Sequence, residues 1–252
     1  MSFRISVLGS GTIIPTKDRN ATSLLVEVAG ENVLFDCAPC ALNSLERLGV
    51  PFHRIDRIFL THFHPDHTLG LGHLMAALNQ LPQAMVGGIE LYGPEGLTDF
   101  MRYWHKLYPS TRPKFNYMNV TEVKEGPIDT GSPYLLSSLS VRHSGGKALA
   151  YRMEFGDRSL VYTGDTEVMV KLVDFARGCD LLISECSFSD GSRAAGHMTP
   201  SDVAKIASGA SVGAVLLVHM YPDVLKTDIE SVVRREYKGR LYVGYDSFQV
   251  TI

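Results

Sequence analysis

Thr61-His62-Phe63-His64-Pro65-Asp66-His67 is the stretch on which the fold turns. It follows a strand-like run, Arg57 to Leu60, and precedes an apolar, helix-compatible segment, Leu69 to Leu81. Three imidazoles and one carboxylate crowd into six residues at a strand-to-helix turn. Imidazole nitrogens and carboxylate oxygens are the ligands that zinc and similar transition metals accept. A polar turn explains them poorly, because burying such groups without partners carries a heavy desolvation cost. On this turn His62 and His64 can point to one side while Asp66 and His67 swing to another. One loop can therefore serve two adjacent ions.

Three further residues of the same chemical type lie downstream. His143 follows the apolar run Leu135 to Val141 and precedes Ser144-Gly145-Gly146. Asp165 follows Ser159 to Gly164, and His219 follows Ala214 to Val218. Each is the first metal-type residue after a buried-looking strand, where α/β folds place their chemistry. With His-x-His-x-Asp-His at its centre, the sequence resembles the metallo-β-lactamase-fold hydrolases over nearly its whole length. The resemblance implies an α/β fold, a four-layer αβ/βα sandwich of two mixed β-sheets flanked by helices. It also implies a ligand set: His62, His64 and His143 on one ion, Asp66, His67 and His219 on the other, and Asp165 bridging. Two zinc ions are the expected cofactors, with manganese or iron as other occupants.

Composition sets the frame. The chain has 252 residues, 45% hydrophobic and 20% charged, ordinary for a globular protein with a sizeable core. A net charge of −3 does not favour non-specific binding to nucleic acid. No N-terminal apolar run follows a basic start, and no stretch reaches membrane-span length, so the expected location is cytoplasmic, with no membrane partner. Cys37 and Cys40 have Cys-x-x-Cys spacing, but no second pair accompanies them. They and Cys179 and Cys186 read as packed thiols of a reducing compartment.

Along the chain, Phe3 to Leu8 alternates as a strand and enters a Gly9-Ser10-Gly11 turn. Residues 12–20 form a polar loop that is similar to the Pro-x-Lys-x-Arg-Asn loop of ribonuclease Z, here Pro15 to Asn20. Ser23 to Val28 and Asn32 to Asp36 read as a hairpin, and Pro39 to Leu48 as a helix stopped by Gly49. Ile89 to Tyr92 is a strand broken by Gly93-Pro94, followed by an aromatic-rich helix, Gly96 to Tyr108. Phe115 to Val123 and Tyr134 to Val141 are strands joined by a Gly/Pro-rich turn. Leu149 to Phe155 and Ser159 to Thr163 form a hairpin over Gly156-Asp157-Arg158. Helices are expected over Glu167 to Arg177, Thr199 to Ser208 and Thr227 to Tyr237, with strands at Asp180 to Cys186 and Arg240 to Tyr245. No linker-like shift divides the chain, so residues 1–252 read as a single domain.

Two ions holding a shared water make hydroxide available near neutral pH and neutralise charge on a carbonyl or phosphoryl oxygen. Asp66 can also accept the nucleophile's proton. A hydrolase follows, and two residues bear on its electrophile. Taken alone, Glu185 is an ordinary strand end and His197 a support for a helix start. Their positions resemble the proton-transfer pair of ribonuclease Z, which implies a His197 that protonates the departing oxygen and a Glu185 that orients it. Ribonuclease Z also carries a long tRNA-gripping arm between the positions matching His143 and Asp165. Here that interval is 22 residues, filled by one hairpin. The expectation is therefore an armless phosphodiesterase acting on small-molecule or single-stranded phosphodiesters, with weak or no tRNA binding; a homodimer is compatible with the sequence. Val243 to Ser247 is also similar to the closing segment of the cyclic phosphodiesterase of the carbon–phosphorus lyase pathway. Competing readings on the same site are a lactone, thioester or lactam hydrolase, a mononuclear-iron sulfur dioxygenase, a flavodiiron protein, and a non-catalytic relative. Asp66 and His67 disfavour the flavodiiron protein, and the full ligand set disfavours the non-catalytic relative. His53, His73 and His105 lie away from strand ends and are not expected to bind metal.

Overall fold

The computed structural model describes residues 1–143, 145 and 147–252. Ser144 and Gly146 of the turn after His143 lie outside the described residues. Among the described residues, fourteen strands form two seven-stranded sheets. The first contains β1 (Arg4–Gly9), β2 (Ser23–Val28), β3 (Glu31–Phe35), β4 (Arg57–Phe59), β5 (Ile89–Pro94), β6 (Met118–Val123) and β14 (Gln249–Thr251), in the order β14-β1-β2-β3-β4-β5-β6. The second contains β7 (Gly126–Ile128), β8 (Leu135–Val141), β9 (Ala148–Phe155), β10 (Arg158–Tyr162), β11 (Leu181–Glu185), β12 (Ala214–Val218) and β13 (Arg240–Val243), in the order β13-β12-β11-β10-β9-β8-β7. Each sheet is mixed: β3 to β6 run parallel, as do β10 to β13, and the remaining pairs are antiparallel.

The inward faces of the two sheets share one apolar layer. Phe35, Phe59, Tyr151 and Tyr162 meet there, Phe35 and Phe59 from the first sheet and the two tyrosines from the second. Helices cover the outer faces. α1 (Ala41–Arg47), α3 (Gly70–Leu78) and α4 (Leu97–Leu107) bury Leu45, Leu74 and Met101 against the first sheet. α5 (Val170–Phe175), α6 (Pro200–Gly209) and α7 (Ile229–Val233) bury Leu172, Ile206 and Val233 against the second. The expected four-layer αβ/βα arrangement is thus what the chain adopts. No helix of the described residues is long and apolar enough to cross a membrane.

Several element boundaries differ from expectation for physical reasons. The helix after the histidine motif begins inside it: α2 (Pro65–Thr68) has Pro65 at its first position, where the missing N–H costs nothing. Gly93 and Pro94 do not break β5 but pair in parallel with Glu122 and Val123. Residues 126–128, read as turn, form edge strand β7 against β8. The helix expected from Glu167 starts only at Val170, because Met169 is extended (φ −138°, ψ 139°) at the end of a segment whose Thr166 and Glu167 N–H groups donate to Glu185 and to the Arg142 carbonyl. The helix expected from Thr227 shortens to α7, capped by Asp228, whose carboxylate accepts from the Ser231 N–H. Strand β14, unforeseen in the sequence, closes the sheet edge beside β1.

Candidate metal centre

The loops that leave β4, β8, β10, β11 and β12 converge at one end of the two sheets. They bring together all seven candidate ligands. His62, His64, His143 and Asp165 offer donor atoms within 4.8 Å of one another, and so do Asp66, His67 and His219. Asp165 sits between the two groups. Its Oδ2 lies 3.8 Å from both His62 Nε2 and His143 Nε2, 3.5 Å from His67 Nε2 and 3.3 Å from His219 Nε2. Asp66 Oδ2 is 3.4 Å from His219 Nε2. The division of the histidine loop into two directions is the one its spacing suggested.

Outer hydrogen bonds orient four of the imidazoles. His67 Nδ1 donates to Asp36 at 2.8 Å, and His143 Nδ1 to the Gly196 carbonyl at 2.9 Å. Thr61 Oγ1 is 2.9 Å from His62 Nδ1 and also donates to Asp36; Ser187 Oγ is 2.9 Å from His219 Nδ1 and also donates to Glu185. Each hydroxyl spends its proton on a carboxylate and so accepts the imidazole's Nδ1–H. In all four rings the Nε2 lone pair therefore faces inward, as metal ligation requires. His64 is turned the other way, with Nδ1 inward, 3.0 Å from His143 Nε2.

The donor set fits divalent metal. His62 Nε2, His67 Nε2 and Asp165 Oδ1 are buried and find no hydrogen-bond partner among the described residues. Buried polar atoms are otherwise almost always paired, and three orphans within this donor cluster mark a place for cations. Electrostatics agrees. Burial would raise the Asp165 carboxyl, but His219, His67 and His62 hold it well below the carboxylate range. Burial, then the neighbouring imidazoles His67, His143 and His64, pushes His62 far below the usual histidine value, so it stays neutral and able to ligate. For His67 burial is outweighed by Asp165 and Asp36, which push the ring up, so a metal competes there with a proton.

Glu185 and His197 join the same cluster. Glu185 ends β11 fully buried; its carboxylate accepts from Thr166 N, Met198 N, Ser187 Oγ and His197 Nδ1, the last at 3.1 Å. Burial disfavours charge on His197, but the Glu185 hydrogen bond prevails and raises it. Its ring packs 4.9 Å from His143 and stacks 5.7 Å from His219. His53, His73 and His105 stand apart, His105 being engaged with Thr111.

Sequence reasoning missed the supporting groups. Asp36 is completely buried at φ 58° and accepts from Thr61 N, Thr61 Oγ1, His67 Nδ1 and Tyr162 OH. An aspartate closing the apolar strand β3, well upstream of the histidine loop, was the available signal. Ser187, two residues past Glu185, had none. The Lys17–Arg19 loop is pinned through Arg19, which donates to Ser10 Oγ and the Gly244 carbonyl, while Asp246 accepts from Ser10 and Asn20.

Comparison with known proteins places this geometry. A family profile described as "Beta-lactamase superfamily domain" matches residues 31–220. The ribonuclease Z of Methanosarcina acetivorans is 25% identical over an alignment of 292 positions that covers 94% of this chain and 93% of the relative. That alignment is longer than the 252 residues here, so the relative carries segments this chain lacks. The probable metallo-hydrolase YhfI of Bacillus subtilis is 26% identical over 98% of each chain. Its crystal structure superposes with a TM-score of 0.85 at 23% identity, covering 99% of both chains. A diphosphatase of the PhnP family superposes with a TM-score of 0.80 at 21% identity, covering 100% of this chain and 98% of that one.

Proposed function

We propose that this chain, which belongs to the beta-lactamase superfamily and so to a class of metallo-hydrolases, is a dinuclear zinc phosphodiesterase built as a single domain. The observation that carries this reading is the Glu185–His197 pair set against the seven-residue donor cluster. His62, His64 and His143 would hold one ion, Asp66, His67 and His219 the other, and Asp165 both. Bound there, the ions supply an activated water and neutralise charge developing on a phosphoryl oxygen.

The chain's own residues do the rest. Asp66 would take the proton of the attacking water. His197 has Nδ1 on Glu185, leaving Nε2 to protonate the departing oxygen. Glu185 supports this role chemically, because its hydrogen bond outweighs the effect of burial and raises the His197 pKa. An alkoxide leaving group of high pKa needs such an acid, whereas a ring-opened lactone or lactam needs it less. That difference favours phosphodiesters over lactones, thioesters and lactams. Among the described residues between His143 and Asp165 the chain makes one hairpin, β9–β10, which favours small or single-stranded substrates over tRNA. A cytoplasmic location and a homodimer belong to the same proposal.

Removing the acid tests it. For His197→Ala we expect a loss on the order of 10²–10⁴-fold on alkyl or nucleoside diesters, the usual worth of a positioned acid. Bis(p-nitrophenyl) phosphate, whose leaving group departs without protonation, should lose far less. Equal losses on both, at unchanged metal content, would remove His197 from the reaction.

A further inference from the structure

A cavity of about 410 Å³ opens beside His197, lined also by Arg142, Glu167, Val168, Ala194 and Ala195, with the Arg193–Asp202 ion pair completing the wall. Pockets of a few hundred Å³ hold small organic ligands. His197 has its Nδ1 on Glu185 and its ring against the donor cluster. On the reading above, the leaving group to which His197 gives its proton occupies this cavity, and its walls select that group.

Arg142 is the distinctive wall residue. Its backbone is fixed immediately before His143, and the Glu167 N–H donates to its carbonyl at 3.1 Å. Its side chain is 71% exposed and makes no hydrogen bond among the described residues; Glu167 lies 3.9 Å away, the outer limit of an ion pair. The neighbouring cations are committed elsewhere. Arg193 donates to Asp202 at 2.7 Å and to Thr199 at 3.1 Å, and Lys147 pairs with Glu95. A loose pair in water is weak, so an incoming oxyanion can displace Glu167. The guanidinium fork matches phosphate or carboxylate geometry. Val168, Ala194 and Ala195 form the apolar part of the wall. With a net charge of −3 the chain as a whole does not attract anions, so recognition falls to this local fork.

We infer that Arg142 binds an oxyanion carried by the leaving alcohol, so that the preferred substrate is a diester whose departing group is nucleoside-sized and bears a phosphate or carboxylate. The inference rests on the proposed role of His197 but is read through a different residue.

The test uses the zinc-loaded protein and two measurements. In the first, hydrolysis of the dithymidine diester pTpT is compared with that of TpT, which lacks the 5′-phosphate on the departing nucleoside. We expect kcat/KM to favour pTpT by about 10-fold or more, the scale of a charge-assisted contact. Arg142→Gln should bring the ratio close to one, Arg142→Lys should retain part of it, and Glu167→Gln should increase it. The second measurement is calorimetric binding of thymidine, thymidine 5′-phosphate and thymidine 5′-carboxylate, and it requires no turnover. Both anions should bind more tightly than thymidine, the difference vanishing in Arg142→Gln and surviving in His197→Ala; the larger advantage identifies phosphate or carboxylate as the preferred group. Equal affinity for all three in the wild-type protein would overturn the inference. So would an anion preference that Arg142→Gln leaves unchanged, since the anion would then be sitting on the metals. Failure of the His197 reading would appear separately, as equal losses on alkyl and p-nitrophenyl diesters.

Discussion

Asp36→Asn isolates how far the metal centre depends on a residue that does not touch it. Asp36 Oδ2 accepts from His67 Nδ1 at 2.8 Å, from Tyr162 OH at 3.0 Å and from Thr61 Oγ1 at 3.0 Å, while Oδ1 accepts from Thr61 N at 2.7 Å. Asparagine keeps the shape but turns one oxygen into a donor. The Thr61 amide holds the remaining oxygen, so the new NH₂ faces the histidine and the tyrosine, both of which are donors in the native arrangement. Leaving a buried donor unpaired costs about 1–3 kcal/mol, and two groups are affected, so a stability loss of roughly 2–6 kcal/mol is expected. His67 also loses the partner that fixes its tautomer and presents Nε2. Loss of such support lowers metal affinity by about 10–100-fold. The assay is competition for zinc against a chromophoric chelator, with urea unfolding of the metal-free protein run in parallel. The affinity loss should be largest for the ion that His67 would hold. An Asp36→Asn protein that binds two ions with wild-type affinity would refute the reasoning.

Gly164→Ala should lower stability by about 2 kcal/mol or more, because φ there is +55° and a Cβ would lie 2.8 Å from the Thr61 side chain; urea unfolding checks it, and a near-neutral result would show that the Asp165 loop can shift. Asp190 accepts from Thr199 and Ser201 beside Arg193, clasping the loop that carries His197 to the start of α6. Burial opposes its charge, but these hydrogen bonds and the Arg193 charge depress its pKa below the ordinary aspartate value. Its contribution is therefore complete above the unfolded-state pKa and is lost as pH falls through the lower folded value. The stability advantage of the wild-type protein over Asp190→Asn, measured by unfolding at a series of pH values, should be constant near neutrality and shrink on acidification below about pH 4; an advantage that grows on acidification would contradict the assignment.

What could be read in the sequence was whatever depends on local spacing. The histidine motif and the three ligands at strand ends need only a short segment each, and the chain brings all seven together. The layered architecture followed from resemblance and from alternating apolar runs. Support residues were hidden because their roles are tertiary. Asp36 meets Tyr162 across 126 residues, and Ser187 meets His219 across 32, contacts that no periodicity encodes. Boundary errors had similar causes. Glu167 has helical spacing, yet its N–H is taken by the Arg142 carbonyl, and the same detour forms the cavity wall beside His197. β7 and β14 are three residues each, too short to show alternation, and exist only because neighbouring strands offer an edge.

The central claim is a dinuclear hydrolytic centre acting on phosphodiesters. It is tested most directly by titrating metal-free protein with zinc while following hydrolysis of an alkyl or nucleoside phosphodiester, with bound metal counted at each point. Activity should rise to a plateau at two ions per chain and disappear in His64→Ala with the fold retained. Full activity below one ion per chain, or no diester hydrolysis at two, would contradict it.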